Sequence, residues 1–140
     1  MKCSSTFFVL TLVFSSLCYG QNKAKKSFDF AQQLQKSSRY EEAIAEYQAI
    51  EQNFPYSSYA KLAQLKVADV YFEMRNYIQA QFQYNYYQEL HPREDNSDYA
   101  LFRSGVSLYK QLPKSVDRDL SKASEILKVW RQTLVKYPGY

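Results

Sequence analysis

The chain carries an internal repeat of aromatic, small and proline residues, and the fixed interval of this repeat restricts the folds it can adopt. Four residues of one copy recur 37 residues later in the next: Tyr40, Ala43, Tyr47 and Pro55 are followed by Tyr77, Ala80, Tyr84 and Pro92. A third copy is partial, with Trp130, Tyr137 and Pro138 near its end and Ile126 in the position of the alanine. A period of this length is typical of stacked supersecondary units, each too small to bury its apolar surface alone.

The third copy is longer than the first two. The interval between its proline and the preceding one, Pro92 to Pro138, is 46 residues instead of 37, a difference of nine. The extra residues fit best between Lys110 and Arg118, a segment that contains Pro113. We therefore predict a longer loop between the two helices of the third unit.

The residues between the repeated positions follow the spacing of an amphipathic helix. The i, i+3, i+4, i+7 pattern is clear in one run of apolar side chains, at Tyr40, Ala43, Ile44, Tyr47, Ile50 and Phe54. We find no convincing two-residue alternation, so the sequence predicts no strands. Prolines lie between the helical blocks, where they do little harm to a helix. The sequence predicts an all-α fold in which each unit is a helix, a turn, a second helix and a proline.

Small residues recur at the same interval, at Ala31, Ala68 and Gly105. They occupy the eighth position of the tetratricopeptide consensus, which is roughly 34 residues long and has a proline near its end. Ala43 and Ala80 let paired helices approach closely. We therefore predict a tetratricopeptide-like helical-hairpin solenoid of about three repeats, with units at about 27–55, 57–92 and 97–138.

Two helix starts can also be read from the sequence. Residues 38–41 have the pattern of a capping box, in which Ser38 accepts a bond from the amide of Glu41 and Glu41 reaches back. Residues 76–79 repeat that arrangement, with Asn76 as the cap.

The first 20 residues form a separate segment. A basic start, the apolar run Phe7–Phe14 and small residues up to Gly20 have the layout of a secretory signal peptide. Cys18 lies where a bacterial lipoprotein carries its lipidated cysteine, but Leu17 stands where a small residue is usual. Lipidation of Cys18 and ordinary cleavage after Gly20 both stay open. We expect residues 21–26 to form a flexible linker before the helical domain of residues 27–140.

The sequence offers few candidates for catalysis or metal binding. A metal site needs several convergent ligands, but His91 is the single histidine and no cysteine follows Cys18, so no others exist to supply soft ligands. No Ser/His/Asp order or glycine-rich phosphate loop is present. The net charge of +4, from 18 basic and 14 acidic residues, is too weak to indicate nucleic-acid binding. The sequence predicts a protein-binding protein with no cofactor and no enzymatic activity.

Aromatic residues are numerous, with fourteen tyrosines and nine phenylalanines. Matching the chain to the groove-facing positions of the repeat consensus selects five of them: Phe28, Phe72, Tyr99, Phe102 and Tyr109. Polar side chains accompany them at Gln32, Gln35, Lys36 and Lys110. Such a groove would suit an extended peptide that ends in an aromatic residue and a carboxylate. The alternative is that these rings pack against the neighbouring helices.

Several segments are more particular than a general repeat. Residues 40–60 read YEEAIAEYQAIEQNFPYSSYA and residues 91–109 read HPREDNSDYALFRSGVSLY; an Arg-Asp pair at 118–119 and the tripeptide KYP at 136–138 follow. In this order they closely resemble BamD (also called ComL or YfiO), the repeat lipoprotein family of the bacterial outer-membrane β-barrel assembly machine. The resemblance covers roughly residues 27–140.

The resemblance implies a location and a set of partners. Members of this family are held by an N-terminal lipid at the periplasmic face of the outer membrane. They bind the barrel-forming assembly subunit and other lipoproteins of the machine, and they help to receive unfolded β-barrel precursors, which typically end in an aromatic residue. They have no cofactor and no catalytic activity.

Three points stay open beside this resemblance. Arg118 and Asp119 either dock the barrel-forming subunit or serve structure, with Asp119 as a helix cap and Arg118 tying down the inserted loop. The second candidate function is a related periplasmic repeat adaptor that coordinates envelope or cell-wall proteins. The chain stops at Tyr140, where a further helix pair is expected, so we expect it to be C-terminally short for this family.

Overall fold

The computed structural model describes the backbone of residues 5–112 and 121–136, and the side chains of residues 20–112 and 123–136. These ranges contain six α-helices and no β-strand, which confirms the all-α prediction. In chain order the helices are α1 (Ser5–Lys36), α2 (Tyr40–Asn53), α3 (Ser58–Glu73), α4 (Tyr77–Leu90), α5 (Ser97–Lys110) and α6 (Ser121–Lys136).

The chain divides into two compact units. Unit 1 is Met1–Ala63 and unit 2 is Gln64–Tyr140, so the division falls inside α3. Helices α1 and α2 belong to unit 1, and α4, α5 and α6 belong to unit 2.

In unit 1, α1 packs against α2. Ala31 on α1 and Ala43 on α2 are fully buried, and their small side chains allow the two backbones to lie close together. Tyr47 is also fully buried, with its ring centroid 5.4 Å from that of Phe28. Its hydroxyl donates to Gln35 Oε1 at 3.0 Å, so this buried polar group is satisfied.

Residues 21–26 belong to α1, so helix replaces the flexible linker expected there. Two contacts hold the segment in unit 1: Ala24 is fully buried, and Gln21 Oε1 accepts a hydrogen bond from Ser57 Oγ at 2.9 Å. The segment also lacks the glycine or proline that would interrupt a helix. In the part of the chain that the structure describes, no helix combines the length and apolar character needed to cross a membrane.

The turns after α1 and α3 share one backbone geometry. Ser38 and Arg75, which lie 37 residues apart, have φ values of 59° and 61°, in the left-handed region. In both turns the next N–H donates to the carbonyl five residues earlier, at 2.9 Å. This is the return bond of a Schellman-type helix end. The repeat therefore extends to the way the chain reverses between helices.

The two predicted caps have different outcomes. Asn76 caps α4 as predicted, because its side chain accepts a bond from the Gln79 N–H at 3.3 Å. The prediction for Ser38 was wrong, because that residue adopts the left-handed turn and Arg39 precedes α2 instead. Arg39 makes no side-chain cap and pairs with Glu42 in the first turn of α2.

In unit 2, α4 packs against α5 and α5 packs against α6. Part of its core is a cluster of buried side chains from α3, α4 and α5: Leu65, Ala68, Ala80, Tyr84, Tyr87 and Ala100. The Tyr84 and Tyr87 side chains are 0% and 1% exposed, and burial of each ring contributes roughly 2–3 kcal/mol. Ala68 and Ala80 are fully buried and leave the space that these rings fill.

At Gly105, α5 lies close against side chains of α6. A Cβ atom added there would lie 2.6 Å from Trp130 Nε1 and 2.7 Å from Trp130 Cδ1. It would also lie 3.1 Å from Val129 Cγ1. A rigid indole cannot retreat as a flexible side chain could, so a methyl group at this position would force the helices apart.

We expect Gly105→Ala to lower the free energy of unfolding by about 1–3 kcal/mol, because overpacking outweighs the better helix propensity of alanine. Urea unfolding followed by circular dichroism measures the change. In the full chain, with its first 20 residues retained, Gly20→Ala is the matched control, since nothing lies within 4 Å of a Cβ at that glycine. A Gly105→Ala protein as stable as the parent would show that α5 and α6 are not held in contact here.

Candidate functional site

One of the five rings predicted to line a groove, Phe28, lies in the interior of unit 1. Its side chain is 7% exposed, and the ring centroids of Tyr47 and Tyr59 are 5.4 Å and 5.5 Å away. Phe28 therefore contributes mainly to packing in this structure. The other four predicted residues all belong to unit 2.

Phe72 and Tyr99 are brought together by a cation that the sequence analysis did not single out. The guanidinium carbon of Arg103 lies 3.7 Å above the ring centroid of Phe72 and 5.8 Å from that of Tyr99. At the shorter distance the attraction of a half-buried guanidinium to an aromatic face is worth roughly 0.5–2 kcal/mol. Arg103 on α5 thus ties Phe72 on α3 into the packing of unit 2.

A buried carboxylate completes this group, which we call the Asp69 network. Asp69 is 6% exposed, and its Oδ1 accepts the Tyr84 hydroxyl at 2.6 Å and the Tyr99 hydroxyl at 2.8 Å. Its Oδ2 accepts from Lys66 Nζ at 2.8 Å. Arg103 Nε donates to the Tyr84 hydroxyl oxygen at 3.2 Å. A buried negative charge is tolerated here because three donors and two cations surround it.

The environment of the two tyrosines changes their acidity. Burial raises the pKa of Tyr84, and the negative charge of Asp69 adds to the rise. The same two causes, burial first, raise the pKa of Tyr99 to about 12. Both phenols therefore stay protonated at a pH where an ordinary tyrosine begins to ionise, and they serve as hydrogen-bond donors to the carboxylate.

Phe102 and Tyr109 take part in a different contact, between α5 and α6. The Tyr109 ring centroid lies 6.0 Å from that of Trp130. Phe102 lines a cavity of about 440 Å³ together with Trp130, Thr133 and Leu134, which we call the α5–α6 pocket. The exposed fractions of Phe102, Tyr109 and Leu134 are 37%, 51% and 60%, so apolar surface remains accessible around this pocket.

Trp130 is the residue of this pocket that the sequence analysis assigned only to the repeat core. It occupies the repeat position of Tyr47 and Tyr84, whose hydroxyls have the partners given above. Its Nε1 is buried without a hydrogen-bond partner in the part of the chain that the structure describes, and it lies against Gly105. The sequence feature that could have identified this position is the tryptophan that replaces the repeated tyrosine in the third copy, together with Gly105 in place of the repeated alanine.

Comparison with known proteins identifies the family. The family described as "YfiO: Outer membrane lipoprotein" matches residues 20–139, which is most of the chain. The chain belongs to the YfiO family. This match confirms the resemblance drawn from the sequence and its tetratricopeptide-like helical fold.

Curated relatives agree with the YfiO assignment. Proteins named "Outer membrane protein assembly factor BamD" from Neisseria gonorrhoeae and from two strains of Neisseria meningitidis are each 32% identical to the chain over 87 residues. That match covers 62% of this chain and 33% of each relative. The chain therefore matches about a third of the length of the curated YfiO-type relatives.

Four other residues of this YfiO-family chain were singled out from the sequence: Cys18, His91, Arg118 and Asp119. Arg118 and Asp119 lie outside the described residues, and so does the side chain of Cys18. His91 Nε2 lies 2.8 Å from Gln64 Oε1, and its ring packs 4.9 Å from that of Tyr87. No group of three His, Cys, Asp or Glu side chains that could hold a metal ion occurs among the described residues.

We expect the stability of this YfiO-family protein to fall as the pH rises from about 10 to about 12. In the unfolded chain Tyr99 releases its proton near its ordinary pKa of about 10, whereas in the folded chain its pKa is about 12. The stabilisation is therefore complete below the unfolded pKa and is lost as the pH passes the folded one. Urea unfolding across this range measures the slope.

The variant Tyr99→Phe tests the origin of this slope. It removes the phenol that donates to Asp69 and keeps the ring beside Arg103, so its stability should depend less steeply on pH over the same range. An unchanged slope would show that the Tyr99 hydroxyl does not stay protonated in the folded protein.

Proposed function

We propose that this protein is a non-catalytic adaptor in the assembly of outer-membrane proteins, held at the periplasmic face of the outer membrane. The observation that carries the proposal is the match of residues 20–139 to the YfiO family of outer membrane lipoproteins. The name shared by the curated relatives, an outer membrane protein assembly factor, supports it. The fold supplies paired helices with exposed apolar side chains, which suit protein binding better than catalysis.

The first proposed partner is the barrel-forming subunit of the assembly machinery, together with the other lipoproteins of that machinery. Arg118 and Asp119 are the proposed docking residues. They stand at the C-terminal end of the segment where the sequence predicts extra residues in the third unit, and insertions of this kind commonly carry binding function.

The second proposed ligand is the C-terminal peptide of an unfolded β-barrel precursor. Its terminal aromatic side chain would bind in the α5–α6 pocket. The α5–α6 pocket, at about 440 Å³, falls within the range of roughly 300–1,000 Å³ that is usual for ligand sites. Phe102 and Trp130 offer ring surfaces, and Tyr109 extends that surface along α5. The exposed ammonium group of Lys110 follows Tyr109 and suits the peptide carboxylate.

Phe72 and Tyr99 have a supporting part in this proposal. Arg103 lies over Phe72, and Tyr99 is bonded to Asp69, so both rings are held in place by the Asp69 network. Because Arg103 is on α5 between Phe102 and Tyr109, the network also fixes the helix that carries the exposed rings. Ligand contact at Phe72 would extend the pocket surface toward α3.

We expect Phe102→Ala to weaken binding of a peptide that ends in phenylalanine by about fivefold or more, since loss of an aromatic anchor typically costs more than about 1 kcal/mol. Phe72→Ala should weaken it as well. Phe82→Ala is the matched control, because Phe82 is 61% exposed on α4 and stacks with Tyr86. Fluorescence anisotropy of a labelled peptide measures the affinity. Unchanged affinity in folded Phe102→Ala and Phe72→Ala proteins would remove the groove proposal.

We expect the barrel-forming subunit to co-purify with the tagged chain from detergent-solubilised envelopes, and Arg118→Ala to reduce its recovery. Arg93→Ala, an exposed arginine in the α4–α5 loop, is the control for loss of one positive charge. Quantitative mass spectrometry identifies the proteins recovered. Recovery of cell-wall enzymes without the barrel-forming subunit would instead favour the alternative periplasmic adaptor.

A further inference from the structure

Gln21, one of the first described side chains of α1, contacts the α2–α3 loop within unit 1. Gln21 Oε1 accepts hydrogen bonds from Ser57 Oγ at 2.9 Å and from Ser58 Oγ at 3.5 Å. A shallow cavity of about 190 Å³ lies beside these bonds, lined by Gly20, Gln21, Asn53, Phe54, Pro55, Tyr56 and Ser57. We call this group the α2–α3 corner. Its hydrogen bonds hold the α2–α3 loop against α1 at Gln21.

Tyr56 projects from this corner into solvent. Its side chain is 95% exposed, which is the largest value among the exposed large hydrophobic residues in the described part of the chain. Packing inside unit 1 therefore does not explain an aromatic residue at this position. Tyrosine is favoured at the boundary between a bilayer and water, where its ring contacts apolar groups and its hydroxyl stays hydrated.

Positive charge lies close to the same corner. Lys23, Lys25 and Lys26 follow Gln21 by two to five positions on α1, within roughly 8 Å along the helix axis. Lys25 pairs with Asp29 at 3.0 Å. Residues 21–30 contain three lysines and one acidic residue, so the segment carries a net positive charge. A basic segment of this kind is attracted to the anionic head groups of phospholipids.

We propose that the α2–α3 corner rests on an anionic phospholipid surface, with Tyr56 at the level of the head groups. The inference rests on the proposed outer-membrane location, and it names a second point of membrane contact. Cys18 precedes Gln21 by three residues, or about 4.5 Å along α1, so a lipid on Cys18 would hold this corner at the bilayer. Two attachment points would limit the rotation of unit 1 about its anchor.

The test places a tryptophan at the proposed contact in the full chain. Tyr56→Trp and the control Phe82→Trp are each reconstituted into vesicles of phosphatidylethanolamine and phosphatidylglycerol that carry brominated acyl chains. We expect the emission of the tryptophan at position 56 to shift to shorter wavelength and to be quenched by the bromine atoms. The tryptophan at position 82, which is exposed on α4, is the comparison, and its emission should be quenched less than that of the tryptophan at position 56 after subtraction of the Trp130 signal.

The contribution of the lysine charges to membrane binding is tested by vesicle partitioning. Lys26→Gln should lower partitioning of the Cys18→Ala protein onto anionic vesicles by about fivefold, and should have no effect on vesicles of phosphatidylcholine alone. Lys26 is exposed, so folding should not depend on it.

The outcomes separate this inference from the proposed function. Vesicle flotation and palmitate labelling of the parent and of Cys18→Ala report whether the chain is attached to lipid. If the chain is attached but the Tyr56→Trp protein is quenched no more than the Phe82→Trp protein, the inference is overturned and the proposed membrane location stands. A chain that does not float with vesicles would overturn both. If the emission of the tryptophan at position 56 shifts to shorter wavelength only after the assembly machinery is added, the corner binds a protein partner. That result would also overturn the inference.

Discussion

The close approach of α5 and α6 at Gly105 is the constraint on which the candidate site depends. The indole of Trp130 fills the space that a methyl group would need, so the two backbones lie nearer than larger side chains would permit. With the indole in that position, Tyr109 can contact one side of it, and a cavity lined by Phe102 and Leu134 is left beside it. The pocket is thus a product of uneven packing, in which one very small residue faces a very large one.

The Asp69 network divides the predicted groove residues of unit 2 into two groups. Phe72 and Tyr99 are engaged by Arg103 and Asp69, so their rings are already part of a packed and hydrogen-bonded arrangement. Phe102 and Tyr109 retain exposed surface. Removing a buried charge from water is costly, and the donors around Asp69 offset that cost only in one geometry. The network therefore favours a fixed α5, and a fixed helix loses less entropy when its exposed side chains bind a ligand.

The sequence predicted the features that depend on local pattern. Helical periodicity gave the all-α fold, and the offset from Asn76 to Gln79 gave a cap that the structure confirms. The prediction of Ser38 as a helix cap was wrong because backbone hydrogen bonds to the preceding helix determine the turn after α1. The contact of Tyr99 with Asp69 joins residues 30 positions apart, and no spacing rule predicts it. One sequence feature could have indicated a buried carboxylate: the acidic residue Asp69 lies inside an apolar run, after Val67 and Ala68 and before Val70.

The position of Trp130 also has a practical consequence. It is the single tryptophan of the chain, and it stands at the junction of α5 and α6 with its ring in contact with Tyr109. Tyrosine excitation can pass to an indole at this separation, and indole emission responds to the polarity around it. When the indole is excited selectively, its emission is therefore an optical reporter of the α5–α6 pair, sensitive to occupation or loosening of that junction.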